Sequence, residues 1–325
     1  MKDYSVRKYQ SSDFEIWNLF VATAKNATFL FNRGFMDYHQ DRFSDFSLMI
    51  FKRDKLVSIL PAHQIDNQIY SHNGLTYGGL VVEKKAKLTE VIAMFQATLQ
   101  FLNAENIQKL HIKTIPDIYV SKPSSELQYA LFLVDATLTR RDSLSVIDQT
   151  NGYFPSKDRR SCALRGRKKQ LVIKEEAIFD EFWNEILIPN LTKKHHASPV
   201  HSLDEIKLLH HRFPENIRHF NVYHENKLVA GTTVFVTDNV AHPQYISGNE
   251  DKNELGSLDF LYHHLISDVF KEKRYFDFGI SNEQQGRKLN GGIVFWKESF
   301  GASTIVQDFY TVETDSFHKL ENVLI

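Results

Sequence analysis

The chain has 325 residues, of which 42% are hydrophobic and 24% are charged, values typical of a globular protein with a substantial core. The net charge of −1 excludes a general electrostatic affinity for nucleic acid or an anionic membrane. Cys162 is the only cysteine, which excludes an internal disulfide and a zinc site built on several thiolates. The sequence shows no signal peptide and no run of ~18 apolar residues, so we expect a cytoplasmic protein without a membrane span.

The first half of the chain predicts a mixed set of strands and helices. A short strand and then a helix are expected over residues 6–24, with the helix beginning after Ser11-Ser12-Asp13. Two strands at 47–51 and 55–65 flank a turn and predict a hairpin. The further predicted elements are a helix over 88–105, a strand over 109–115, a helix over 123–129 and a strand over 130–140.

The second half repeats this order. The predicted elements are helices over 179–191 and 202–212, a hairpin over 220–224 and 228–236, a strand over 240–247, a helix over 258–271, and strands over 275–280 and 303–312. Helix, hairpin, strand, helix and strand thus appear twice. We therefore predict an α/β (α+β) protein of two tandem domains, 1–150 and 151–325, each a mostly antiparallel, twisted sheet flanked by helices.

The most informative stretch is residues 275–301, YFDFGISNEQQGRKLNGGIVFWKESFG. A buried strand ends at Gly279 and a polar segment follows, an arrangement typical of ligand sites at the carboxyl ends of strands. Asp277 within the apolar strand and Lys297 within an apolar run each carry a large burial penalty unless they are paired or used. This combination predicts a functional site.

Two segments could bind phosphate groups. Residues 247–257, SGNEDKNELGS, join a strand to a helix, and Ser247, Gly256 and Ser257 could admit a pyrophosphate at the helix N-terminus. Three acidic residues in this segment favour the alternative of an ordinary surface loop. The connector 157–169, KDRRSCALRGRKK, could bind phosphates or RNA through Arg159 and Arg160. Its alternative is a solvated connecting helix.

Histidine supplies candidate bases. His72, in SHNGLTYGG with Tyr77, and His242, in AHPQYIS, both lie in strand-like segments beside small polar residues. The alternative for each is a histidine whose ring is satisfied by a backbone carbonyl. No histidine or acidic grouping has convincing metal-ligand spacing. GxSxG, GxxxxGK[ST] and GxGxxG are absent, which removes the usual support for hydrolases, P-loop kinases and dinucleotide folds.

The segment 277–302, DFGISNEQQGRKLNGGIVFWKESFGA, together with GTTVFVTDNVAHPQYIS and LDFLYHHLISDVF, resembles the C-terminal module of FemAB-like acyltransferases. TFLFNRGFMDYHQDRF and SHNGLTYGG look like GNAT-fold proteins associated with bacterial surface-polysaccharide synthesis. The resemblance covers nearly the whole chain and implies two tandem GNAT-like domains. NELGS is at best a degenerate form of the Q/R-x-x-G-x-G/A loop of GNAT enzymes.

The resemblance implies an N-acyltransferase of the bacterial cell envelope. The donor would be acyl-CoA, acetyl-CoA first, with no metal, and the acceptor an amine on a glycan precursor such as a nucleotide-linked amino sugar. By the family pattern, Lys297 in FWKESF matches a lysine that binds the donor and steadies the tetrahedral intermediate. The alternatives are a Fem-type transferase that uses aminoacyl-tRNA, and a non-catalytic module that binds a glycan or nucleotide sugar; DNA is not an expected partner.

We therefore expect direct attack by the amine on a thioester held between two splayed strands. The candidate catalytic residues are Lys297, His242, Tyr245 and Asp277, with Tyr245 as a proton donor to the leaving thiolate. The candidate donor-binding residues are Ser247, Gly256, Ser257, Asn282 and Asn290. The candidate acceptor-binding residues are His72, Tyr77, Arg159, Arg160 and Arg287.

Overall fold

A computed structural model describes residues 3–323, without the side chains of residues 194 and 195. The chain forms two compact units, one of residues 1–142 with 306–325 and one of residues 143–305. The predicted division assigns residues 306–325 to the second domain, whereas in the structure they belong to the first unit. The reason is strand pairing, since Phe309–Glu313 pairs antiparallel with Lys109–Lys113.

The first unit is built from short strands around one long helix. Its elements are β1 (Tyr4–Lys8), α1 (Phe14–Thr23), α2 (Arg33–Met36), β2 (Ser44–Asp45), β3 (Leu48–Lys52), β4 (Lys55–Leu60), β5 (His63–Ile65), β6 (Gln68–Tyr70), β7 (Val81–Val82), α3 (Leu88–Ala104), β8 (Lys109–Lys113) and α4 (Glu126–Leu133). Strand β9 (Thr137–Asp148) begins in this unit and ends in the other.

Two sets of strands form the first unit's sheets. The strands β1, β3, β4 and β7 form one sheet in that order, and β8, β6, β5 and β2 follow one another in a second set. Strand β6 runs parallel to β8, with Tyr70 opposite His111. The apolar face of α3 packs on this unit's core, where Phe95, Leu99 and Leu102 are fully or almost fully buried. The 3.6-residue period therefore predicted the right face.

The second unit contains a larger sheet with helices on it. Its elements are α5 (Lys157–Lys168), β10 (Val172–Glu175), a π-helical turn (Phe182–Leu187) continuing into α6 (Ile188–His195), α7 (Leu203–Arg212), β11 (Ile217–His224), β12 (Lys227–Val236), β13 (Val240–Gly248), α8 (Lys252–Leu255), α9 (Ser257–His264) continuing into a π-helical turn (Leu265–Val269), β14 (Tyr275–Ile280), β15 (Asn282–Glu283), β16 (Lys288–Leu289) and α10 (Gly291–Glu298). Strand β17 (Ser303–Glu313) begins here and ends in the first unit.

Within the second unit the strand order is β10, β11, β12, β13, β14 and then the last residues of β9. Neighbouring strands are antiparallel except for β13 and β14, which run parallel. Aromatic side chains of β14 and α9 fill the core, and Phe276 and Tyr262 are completely buried. The predicted class, mostly antiparallel sheets flanked by helices, is confirmed.

Two predicted elements differ from the structure. The strand predicted over 130–140 is wrong, because α4 continues to Leu133 and β9 starts only at Thr137, after a turn with Asp135 at a positive φ. The strand predicted over 55–65 is two strands, β4 and β5, separated at Pro61. A proline lacks the N–H that an uninterrupted ladder needs.

Candidate active site

The two parallel strands β13 and β14 pair over a short distance only. Val240 lies opposite Tyr275 and Ala241 opposite Phe276, and no further pair follows between the described residues of these strands. Strand β13 continues to Gly248 and β14 to Ile280. The backbone of β13 beyond Ala241 therefore diverges from β14. A separation of two neighbouring strands is the arrangement expected for a bound donor.

The side chain of His242 lies in the opening between these strands. Its Nδ1 donates to the backbone oxygen of Asp277 at 2.8 Å and lies 3.6 Å from Oδ2 of the same residue. A Cβ at Gly279 would be 2.9 Å from Cε1 of His242, so the glycine lets the ring lie against the strand backbone. Gly279 also has a φ of +72°, which glycine adopts without strain.

Asp277 is completely buried, and its Oδ1 accepts the backbone N–H of Gly279 at 2.7 Å. This short side-chain contact closes a local turn within β14 and accompanies an irregular register against β9. The carboxylate is thereby positioned beside the imidazole of His242.

Lys297 approaches the same strand end from α10. Its side chain is only 3% exposed, and its Nζ donates to the backbone oxygens of Gly279 at 2.9 Å and Ile280 at 2.7 Å. Burial lowers the pKa of Lys297 to about 8, although the Asp277 carboxylate opposes the shift. Three of the predicted catalytic residues therefore lie together around Gly279, namely His242, Asp277 and Lys297.

Tyr245 lies in a different environment. Its hydroxyl accepts the backbone N–H of His201 at 3.0 Å and lies 2.6 Å from Nδ1 of that residue, and its ring packs edge-on against Trp183. Neither His201 nor Trp183 carries a sequence signal for a site. The side chain of Ser202 caps α7 by accepting the N–H of Glu205, and this cap fixes the start of the helix beside His201.

Three of the predicted donor-binding residues, Ser247, Asn282 and Asn290, have hydrogen-bond partners in the structure. Asn190 Nδ2 donates to Oγ of Ser247 at 2.8 Å. Asn282 Oδ1 accepts from the backbone N–H of Ser143 at 2.7 Å, and Asn290 caps α10 by accepting the N–H of Ile293 at 3.2 Å. These contacts fix the ends of β13, β14 and α10, which border the opening.

Gly256 and Ser257 form the start of α9. Gly256 has a φ of +69°, and a Cβ there would be 2.5 Å from the backbone oxygen of Cys162 in α5. Ser257 is fully buried, and its Oγ has no hydrogen-bond partner in the structure. The glycine thus serves helix packing, and the serine hydroxyl is a buried polar group at the start of α9.

We expect Gly256→Ala to destabilise the fold by ~1–3 kcal/mol, because a non-glycine residue is strained at this φ and meets the α5 backbone. Urea denaturation measures the change. Gly291→Ala is the matched control, because Gly291 begins α10 and its Cβ would have nothing within 4 Å. Equal stability of both variants would contradict this packing role.

The basic connector forms α5, capped by Ser156. Arg159 Nη1 donates to Oδ1 of Asp259 in α9 at 2.7 Å, so this arginine is paired inside the unit. Arg160 and Arg287 are exposed. The connector is therefore a helix packed on α9, with Arg160 facing solvent.

The predicted acceptor-binding residues of the N-terminal half lie inside the first unit. His72 is 4% exposed at a φ of +65°, and its ring lies 5.0 Å from that of His39. Tyr77 is buried and donates to Oγ1 of Thr28 at 2.9 Å. Burial, with His39 as the next cause, strongly lowers the pKa of His72. Its ring is therefore neutral.

The chain is similar to known proteins both in sequence and in fold. Residues 159–287 match the family model of an acetyltransferase (GNAT) domain. The crystal structure of FemX has a similar fold, with a TM-score of 0.66 and 9% identity over 98% of this chain and 99% of that one. The chain has a GNAT-like fold. The predicted GNAT fold is confirmed, and the matched domain agrees with the predicted acyltransferase class.

Two further solved structures have folds similar to that of this chain. The C-terminal DUF2156 domain of a putative lysylphosphatidylglycerol synthetase from Agrobacterium fabrum has a TM-score of 0.61 and 12% identity, over 95% of both chains. L-PGS from Bacillus licheniformis has a TM-score of 0.57 and 9% identity, over 80% of this chain and 82% of that one. No curated protein sequence matches the chain.

The part of the chain that the structure describes contains neither a metal-binding cluster nor a membrane-spanning helix. Within residues 3–323 there is no cluster of three or more histidine, cysteine, aspartate or glutamate side chains that could hold a metal ion. None of the helices in that part of the chain is both long and apolar enough to cross a membrane.

Proposed function

We propose that the protein transfers an acyl group, acetyl first, from acyl-CoA to an amine of a cell-surface polysaccharide precursor such as a nucleotide-linked amino sugar. The observation that carries this proposal is the divergence of β13 from β14 after Ala241, with Lys297 and His242 at the opening. An activated carbonyl between the strands would meet both side chains.

Donor binding is the first step. The unpaired backbone of β13 can hold the pantetheine arm by strand-like hydrogen bonds, since its neighbour β14 has separated. The buried hydroxyl of Ser257 and the first N–H groups of α9 can receive the pyrophosphate. The degenerate NELGS segment thus keeps a helix N-terminus, although Gly256 serves packing.

His242 is the proposed general base. Because its Nδ1 donates to the Asp277 backbone, the other ring nitrogen, Nε2, carries the lone pair that can accept a proton. The amine attacks the thioester carbonyl and loses its proton to Nε2, and the buried Asp277 carboxylate stabilises the resulting imidazolium. Asp277 is thus a positioning residue.

Lys297 is the proposed oxyanion donor. Two of its three N–H groups are held by backbone oxygens, so the ammonium is fixed before the substrate arrives and a third N–H remains. A fixed donor in a desolvated site stabilises developing negative charge better than a mobile one does. The hydroxyl of Tyr245 would protonate the leaving thiolate. It would then be reprotonated through His201, whose Nδ1 lies 2.6 Å from the hydroxyl oxygen of Tyr245.

The cytoplasm is the compartment we propose, because the single thiol, Cys162, suits a reducing environment. A second donor, aminoacyl-tRNA, is favoured by one observation, the exposed basic residues of α5 that include Arg160 and Arg167. Arg159 does not belong to that exposed set, because Asp259 neutralises it.

A ligand panel followed by a transfer assay tests the proposal. We expect acetyl-CoA and CoA to raise the melting temperature, since a ligand at ~100 times its Kd stabilises a fold by about 2.7 kcal/mol. Mass spectrometry with nucleotide-linked amino sugars should then detect a product heavier by one acyl group. Stabilisation by tRNA alone, with RNA copurifying, would instead support the aminoacyl donor. No response to CoA or RNA would refute both donors.

A further inference from the structure

A row of three side chains crosses neighbouring strands of the first unit. Lys113 at the end of β8 lies directly opposite Phe309 of β17. The guanidinium of Arg140, on β9, lies 4.5 Å from the centre of the Phe309 ring, and Nζ of Lys113 lies 5.8 Å from it. Two cations therefore flank one aromatic ring on the same face of these strands.

The buried acid beside this row is held by Arg140 and forms no ion pair with Lys113. Asp142 is this buried acid, and both of its oxygens accept from Arg140, at 2.9 and 2.7 Å. Nζ of Lys113 donates to the backbone oxygen of Leu75 at 2.8 Å, and among residues 3–323 no carboxylate lies within ion-pair distance of it. Desolvation of the Lys113 ammonium is therefore not offset by an ion pair.

Desolvation has a measurable effect on this lysine. Burial, and then the charge of Arg140, lower the pKa of Lys113 to about 8, while Asp142 opposes the shift. Lys113 in turn lowers the pKa of His72, so the row is electrostatically coupled to the 71–78 segment that supplies the oxygen of Leu75. An anion bound here would relieve the repulsion between the two cations.

We propose that Lys113 and Arg140 form an oxyanion subsite of the first unit, which holds a phosphate or carboxylate group of the acceptor. Access is through the Arg140 side, whose side chain is 27% exposed. The ammonium supplies two further N–H donors, and the guanidinium adds charge next to Phe309. The acceptor role rests on the proposed function, whereas anion binding itself can be measured without any transfer.

The test follows the side-chain NMR signals of lysines in the intact wild-type protein during pH titrations with inorganic phosphate, acetate or chloride. Lys113→Met assigns the signal. We expect phosphate or acetate to move the pKa of Lys113 from about 8 towards its ordinary value, because an anion favours the charged form. The anion that shifts the pKa of Lys113 at the lower concentration identifies the ligand group as a phosphate or a carboxylate. A titration unchanged by both anions would overturn the subsite.

Variants add an independent measurement. Arg140→Met should weaken binding of the same anion about tenfold or more, the effect of losing one charge-assisted contact. Arg141→Met is the matched control, because Arg141 forms a bidentate pair with Asp308 and is 52% exposed. Equal losses in both variants would overturn the proposal. Stabilisation by CoA, measured on the same samples, separates failure of this subsite from failure of the acyl-CoA donor.

Discussion

Lys297→Met is expected to lower kcat for acyl transfer by ~10²–10³, the usual loss when one oxyanion donor is removed. Methionine fills a similar volume but carries no charge and no donor. The oxygens of Gly279 and Ile280, which lose their partner, border the opening and can bind water instead. Steady-state kinetics with a saturating donor measure the effect.

Lys288→Met is the matched control, because Lys288 is an exposed lysine of the nearby strand β16. It should retain full activity. Stabilisation by CoA should persist in both variants, since the donor contacts proposed above do not depend on the ammonium. A folded Lys297→Met protein with unchanged kcat would remove Lys297 from the mechanism.

The pH dependence of the wild-type protein gives a second readout for Lys297. Its folded-state pKa is lowered to about 8, so the ammonium is present below this pH and is lost as the pH rises through it. Activity that needs the charge should therefore fall above about pH 8. The free energy of unfolding should instead rise with pH between about 8 and the ordinary lysine pKa. In this range the unfolded chain binds the proton more tightly than the folded protein does. The residual rate of the Lys297→Met protein should not show this fall above about pH 8.

His242→Gln is expected to lower kcat by ~10²–10⁴, the usual contribution of a general base. The glutamine amide can still donate to the backbone oxygen of Asp277, so the contact that holds the side chain is kept while the proton acceptor is lost. Pre-steady-state kinetics separate this loss in the chemical step from a change in product release.

His318→Gln is the matched control, because the Nδ1 of His318 also donates to a backbone oxygen, that of Asp315, at an exposed position of the first unit. It should be fully active. If His242→Gln were as active as this control, the base would have to be another group.

The central part of the site could be predicted because burial of charge is visible in a sequence. Asp277 interrupts an apolar strand and Lys297 interrupts an apolar run, and each must be paired or used. The structure places both at the end of β14, with Lys297 bound to two backbone oxygens. The divergence of β13 from β14 was expected from the family resemblance rather than from spacing.

The surroundings of Tyr245 could not be predicted. Its hydroxyl is bound by His201, which is 44 residues away in sequence and belongs to the segment before α7. No periodicity connects these residues, because their contact depends on how α7 packs on the sheet. Arg159 shows the same limit, since its partner Asp259 lies 100 residues further along the chain.

The order of elements along the chain has a consequence for synthesis on the ribosome. The final strand of the first unit, in β17, pairs with β8, and His111 contacts Thr311 at a sequence separation of 200 residues. The nascent first unit must therefore wait with an open strand edge until the whole second unit has been translated. Such late closure makes the first unit slow to fold and exposes its strand edge to aggregation until β17 has been synthesised.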